Sequence, residues 1–234
     1  MFKIFSRTKK LLPPYEFVQE DAKWFLNCYL KKDASDIKLI IIVGAHMAYE
    51  VDAMLSSYPN ANYILFEASQ RYFSKLANRF SGHHQVKVNN IAISNQVGEV
   101  EFHETNLDGA GSLLKIGNFT KNVCAISEAE SFMVQTVTLD SYLESSGENN
   151  EEIDCLWIDI QGAELLALSG AIESLNRVQS VFVEISTYQP LYENAALFDD
   201  IHAFLYKVGF IVASIGTDYK NGTGNAFYIR KPIL

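Results

Sequence analysis

The segment WIDIQGAELLALSG, Trp157 to Gly170, puts one carboxylate, Asp159, at the end of an apolar run and a second, Glu164, five residues later. A carboxylate among apolar neighbours must be solvated, paired or bound to something, because burying it bare is costly. VFVEIS repeats the arrangement with Glu184, and NYILFE does so with Glu67. Carboxylates on neighbouring strand ends suit general-base work or cation binding, and they could instead pair with Lys or Arg elsewhere. Glu164 follows Gly162 into the first turn of a helix, where it either favours the helix dipole or serves the site. Glu67 comes some twenty residues after Gly44, the spacing at which a carboxylate accepts hydrogen bonds from ribose hydroxyls, and that spacing favours ribose binding over the alternatives of capping the next helix or pairing with Arg71. Gly44 lets a backbone approach a ligand closely, and it could also be a turn or packing glycine. His46 alone of the five histidines falls at the same edge, and the histidines show no metal spacing.

These residues need a frame that gathers strand ends. KLIIIVG (38–44), NYILFE (62–67), QVKVNNIAI (85–93), DCLWIDI (154–160), SVFVEIS (180–186), GFIVASI (209–215) and NAFYIRK (225–231) read as strands. Helical stretches fall at about Met47–Ser56, at SQRYFSKLANRF, at 163–175 and at 196–208. Continuous Val/Ile/Leu strands alternating with amphipathic helices imply an α/β fold with a mostly parallel sheet covered on both faces. The last two strands have room only for a hairpin, so an antiparallel edge is expected. Residues 99–138 differ: EVEFHE and VQTVTLD alternate with period two, as an inserted β-hairpin would. In such sheets ligands bind beyond the carboxyl ends of the strands. That rule selects Gly44 to His46, Glu67, Asn90, Asp159 with Gln161, and Glu184 with Ser186.

With 234 residues, the chain suits one large domain, residues 38–234, after an N-terminal helical extension, 1–37. A net charge of −9 with no basic stripe argues against nucleic-acid binding, which depends on clustered Lys and Arg. No apolar run is long enough for an integral membrane segment. MFKIFSRTKK lacks an apolar signal core, and Cys28, Cys124 and Cys155 are too few and too scattered for a disulfide framework, so a cytoplasmic location is expected.

The block IDCLWIDIQGAELLALSGA resembles the signature of the FkbM family of S-adenosyl-L-methionine-dependent methyltransferases. VGAHMAYE, ILFEAS, NNIAIS followed by GEVEF, VTLDSYL, VFVEIS and LYKVGF match further family segments in the same order, over roughly residues 38–215. The resemblance implies a class I methyltransferase (Rossmann-like) fold with a seven-stranded sheet, and methyl transfer to a hydroxyl of a small-molecule or glycan acceptor. It also implies cofactor binding by Gly44, Ala45, Glu67, Asn90, Gln161, Gly162 and Glu164. Asp159 is the first candidate for the base, then Glu184, then His46, and no metal is required. The chain departs from the family at Ile42, His46, Ala48 and Trp157, where an acid, an asparagine, a glycine and a lysine are usual. The other readings are a non-catalytic binding module with an altered glycine motif and a nicotinamide-dependent oxidoreductase; the latter would want the absent G-x-G-x-x-G. Tyr188 and Tyr192, in TYQPLYEN, could stack on a sugar ring or pack on the protein.

Overall fold

The computed structural model describes residues 32–148, 151–217 and 222–232. The extension expected over 1–37 therefore lies outside the described residues up to residue 31, as do residues 149–150 and 218–221.

Strand β1 (Leu39–Val43) is buried throughout and runs parallel to β2 (Asn62–Phe66) on one side and β7 (Ile153–Ile158) on the other. β3 (Val86–Asn89) flanks β2, and β8 (Val178–Ser186) flanks β7. With β9 (Phe210–Thr217) and β10 (Thr223–Arg230) the sheet has seven strands in the order β3-β2-β1-β7-β8-β10-β9. The antiparallel edge is the β9–β10 hairpin, whose second strand inserts between β8 and β9. The order reverses between β1 and β7, the place where a doubly wound sheet opens a crevice.

Alternation along β1 divides the core. Leu39, Ile41 and Val43 face a cluster that includes helices α4 (Leu139–Ser146), α5 (Glu164–Ser169) and α7 (Phe198–Lys207). Ile40 and Ile42 face the opposite cluster, where α1 (Tyr49–Ser57) supplies Val51 and Met54 and α2 (Gln70–Arg79) supplies Leu76. Successive strand residues point to opposite faces, so a run of apolar residues is what a strand covered on both sides requires. Trp157 stacks on Phe182 at 3.7 Å within the second cluster, so the position where the family carries lysine is filled by a core aromatic.

Three boundaries differ from the sequence expectation. The run 85–93 is two strands, because β4 (Ala92–Ile93) leaves the main sheet and pairs with β6 (Glu128–Val137). At the break, Asn90 Nδ2 donates to the carbonyls of Glu67 and Ala68 at 2.9 and 3.1 Å, and Asn89 donates to Leu65 at 3.1 Å. The helix expected from Met47 begins at Tyr49, because His46 and Ala48 take left-handed backbone angles of 45° and 46°. The stretch 163–175 is divided into α5 and α6 (Ile172–Leu175) at Gly170, whose missing side chain lets the Ser94 carbonyl come within 2.1 Å of where a Cβ would be.

The insertion forms its own sheet, β4-β6-β5, with β5 (Gly98–Thr105) antiparallel to β6. The connection between β5 and β6 carries the short helix α3 (Asn118–Val123). The TLD of VQTVTLD belongs to a helix start instead of a strand: Thr138 accepts a 3.0 Å hydrogen bond from Ser141 N–H and caps α4. No described helix is long and apolar enough to cross a membrane.

Candidate active site

Gly44 ends β1 with φ +86°, and the turn it makes opens a cleft of about 590 Å³ over the carboxyl ends of β1, β2 and β7. The floor comes from Val43, Gly44, Asp159, Ile160 and Gln161, and one wall from Phe66, Glu67, Ala68 and Ser69. The inserted sheet supplies the opposite wall through Phe102, Glu104, Gly109, Gly111 and Leu113. Phe102 and Glu104 are two apart on β5 and so share a face.

Glu67 is held at the cleft by two backbone donors. His46 N–H reaches its Oε2 at 2.6 Å, and Ser69 N–H reaches its Oε1 at 2.8 Å. The bond to Ser69 ties the carboxylate to the residue before α2, without capping a first-turn N–H group of that helix. Arg71 pairs instead with Asp108, at 3.8 Å. Burial pushes the Glu67 carboxyl up to about 7; the two N–H donors oppose that rise, and the charge of nearby Glu104 adds to it.

The carboxylates just after β7 and near the end of β8 form one network. Gln161 Nε2 donates to Asp159 Oδ1 at 2.9 Å and to Glu184 Oε2 at 2.8 Å. Through that shared donor the two carboxyls lie close enough to act on one another. Burial raises both: the Gln161 donor opposes the rise at Asp159, and the Asp159 charge drives Glu184 well above the usual carboxylate range. Two carboxyls in contact hold one proton between them. Glu164 points back at the turn, where its Oε1 accepts Ile160 N–H at 3.1 Å and Gly162 N–H at 3.0 Å. Burial lifts it to about 7.

His46 lies in the cleft with its ring edge-on to Tyr72 at 4.4 Å. Its Nε2 is 3.5 Å from Asp108 Oδ2, a charge contact without a hydrogen bond. Burial lowers the imidazole below its ordinary value, against the pull of Asp108 and Asp159, so the ring is neutral near pH 7 and able to accept a proton.

Of the residues singled out from sequence, Gly44, His46, Glu67, Asp159 and Gln161 meet in this cleft. Gly162, Glu164 and Glu184 line a smaller cavity of about 270 Å³ beside it, with Ser186, Leu191 and Tyr192. Ala45 packs in the core under α1, and Asn90 commits its amide to the backbone of Glu67 and Ala68. Tyr188 is exposed, whereas Tyr192 is buried.

Sequence reasoning missed three polar side chains, Glu104, Tyr72 and Glu50, and it offered Tyr192 only as a ring to stack on a sugar or pack on the protein. Glu104 accepts a hydrogen bond from the Ser69 hydroxyl, and Tyr72 donates to Asp108. Glu50, in the first turn of α1, is pushed up to about 7 by burial and by the charge of Asp159. Tyr192 hydroxyl lies 3.0 Å from Gln161 Oε1. The acidic end of VGAHMAYE was visible in sequence as a possible signal for Glu50; Glu104 and Tyr72 have no local signature. Among the described residues, no three His, Cys, Asp or Glu side chains converge as a metal-holding group.

Comparison with known proteins agrees with this architecture. The 2-O-methyltransferase NoeI of Sinorhizobium fredii is 26% identical over 162 residues, covering 66% of this chain and 65% of its own length, so the chain spans somewhat under two thirds of that relative. The fold is shared with magnesium protoporphyrin IX methyltransferase of Synechocystis PCC 6803, at a TM-score of 0.52 and 9% identity, over 93% of this chain and 79% of that one. It is shared too with the methyltransferase FkbM of Methylobacillus flagellatus KT, at a TM-score of 0.51 and 11% identity, over 94% of this chain and 56% of that one. The Methyltransferase FkbM domain matches residues 43–212, most of the chain, and on that match this protein belongs to the FkbM methyltransferase family.

Proposed function

We propose that this chain transfers a methyl group from S-adenosyl-L-methionine to a hydroxyl oxygen of a small molecule or glycan. The observation that carries the reading is the Glu67 carboxylate, buried at the end of β2 and fixed by two backbone N–H groups in a cleft that Gly44 opens. A carboxylate so placed has lone pairs left for ribose hydroxyls. Ile91, Ile93, Phe102 and Leu113 give the same cleft apolar walls for a base, and Asp159 gives it a negative floor. These residues fit the cofactor, which when bound supplies an electrophilic methyl on a sulfonium.

An alcohol is a poor nucleophile, so its proton must pass to a base as the new bond to carbon forms. In this reading Asp159 takes that proton, beside Glu184, which burial and the Asp159 charge hold well above the usual carboxylate range. Gln161 holds both carboxyls in place. The smaller cavity between Glu184, Ser186, Leu191 and Tyr192 adjoins this pair and suits the acceptor's reacting end. Fixing that oxygen against the methyl supplies much of the rate by proximity. The name of the relative NoeI, a 2-O-methyltransferase, favours oxygen as the acceptor atom.

The test is incubation with methyl-labelled S-adenosylmethionine and a panel of oligosaccharides and hydroxylated small molecules, with products read by mass spectrometry. An O-methyl ether formed by the native chain and lost in Asp159→Asn supports the reading. Tight cofactor binding with no transfer to any hydroxyl, or label appearing on nitrogen or carbon, overturns it.

A further inference from the structure

Gln161 is the hinge of the carboxyl network, and its orientation has a cause outside the network. A primary amide carries two N–H donors and one carbonyl. Both donors are used, one on Asp159 and one on Glu184. The carbonyl oxygen then points away from the carboxyls and meets the Tyr192 hydroxyl at 3.0 Å. Reversing the amide would set that oxygen against carboxylate oxygens and its N–H groups against a phenol. Tyr192 is 4% exposed, so water does not substitute freely for its hydroxyl. The same hydroxyl is 2.9 Å from the carbonyl of Ala110, in the loop whose Gly109 and Gly111 line the large cleft. Both of its neighbours are acceptors and the phenol has a single proton, so Tyr192 shares that proton between the Ala110 carbonyl and the Gln161 amide oxygen. Gln161 itself is held at φ 57°, a left-handed angle that non-glycine residues adopt only when their surroundings impose it.

We infer that Tyr192 is a positioning residue: its hydroxyl sets the orientation of the Gln161 amide, which presents two N–H donors to Asp159 and Glu184 and keeps negative charge at the floor of the cleft. The inference rests on the reading that this cleft receives S-adenosylmethionine, and it adds a residue from the loop after β8 to the machinery. N–H donors favour the ionised form of the carboxyls they contact. Without the phenol, the amide oxygen is a buried acceptor with no donor, the amide is free to turn, and the pair holds its protons to higher pH. The other groups acting on the pair are Glu164 in the turn after β7, Glu50 in α1 and His46 in the turn after β1. None of them contacts the Gln161 oxygen.

The experiment compares S-adenosylmethionine with S-adenosylhomocysteine, which lacks the sulfonium charge, by calorimetry over the whole pH range in which the protein stays folded. In the native protein the advantage of the charged ligand grows with pH as the Asp159–Glu184 pair loses its proton. Tyr192→Phe moves the midpoint of that change upward by about half a pH unit to one unit, a roughly three- to tenfold shift in proton affinity. Gln161→Ala moves it in the same direction, and Tyr192→Phe added to Gln161→Ala moves it no further. A midpoint that stays in place, additive shifts in the double variant, or an equal loss of both ligands at every pH overturns the inference and leaves the cofactor reading standing. Failure of the native protein to bind either ligand overturns both.

Discussion

The backbone carbonyl oxygen of Asp159 lies 1.9 Å from where a Cβ on Gly44 would stand. The turn that opens the cleft and the carboxylate at its floor are therefore packed backbone to backbone, and Asp159 N–H confirms the closeness with a 3.0 Å hydrogen bond to Val43. Gly44→Ala would force this contact apart and place a side chain at φ +86°. Strain and overpacking together should cost about 2–5 kcal/mol. Urea denaturation should show a lower midpoint with an unchanged slope; an unshifted midpoint would refute the packing argument.

Glu67→Gln replaces one acceptor oxygen by an NH₂ group that faces either His46 N–H or Ser69 N–H. A lost acceptor against a buried donor costs about 1–3 kcal/mol. The affinity for S-adenosylhomocysteine should fall about ten- to a hundredfold, as measured by calorimetry. Unaltered affinity would remove Glu67 from the ribose role.

Stability should fall as pH rises from about 4.5 to about 7. Glu67 and Glu164 are both pushed up to about 7 in the folded chain, from an ordinary value of 4.5. Within that window the folded state keeps protons that the unfolded state has released, so the unfolded state binds fewer protons and the slope with pH is negative. Each group contributes on the order of 1–3 kcal/mol, fully present below the window and lost above it. Thermal melts should show the decline, and Glu67→Gln should flatten part of it. Melting temperatures that rise through the window would contradict the burial argument.

Asp159→Asn and Glu184→Gln should differ in severity. Burial and the Asp159 charge drive Glu184 well above the usual carboxylate range, so a neutral amide disturbs it less, whereas Asp159→Asn removes the proposed acceptor itself. The rate of methyl transfer should fall roughly 10²- to 10⁴-fold for Asp159→Asn and distinctly less for Glu184→Gln. The reverse order in initial-rate measurements would exchange the roles of the two carboxyls.

Local chemistry wrote much of this protein into its sequence. Uninterrupted apolar runs such as LIIIV specify strands buried on both faces, because every second residue must satisfy a different layer. Polar residues at the ends of those runs, Glu67, Asp159 and Glu184, were legible because a carboxylate beside a core strand needs a reason to be there. Tertiary structure decided what those carboxylates face. The β-hairpin pattern of 99–138 was readable, but it does not say that Phe102 and Glu104 turn toward the cleft. The run 85–93 was read as one strand although its alternation changes phase at Asn89–Asn90, from Val86 and Val88 to Ile91 and Ile93, and the break itself is held by carbonyls of Glu67 and Ala68, more than twenty residues away in the chain. Gln161 and Tyr192 are thirty-one residues apart and meet only after β8 and its following loop have folded back over the turn. Periodicity records which face of an element is buried; hydrogen bonds between distant segments leave no period, so the network that orients the carboxyls existed only in three dimensions.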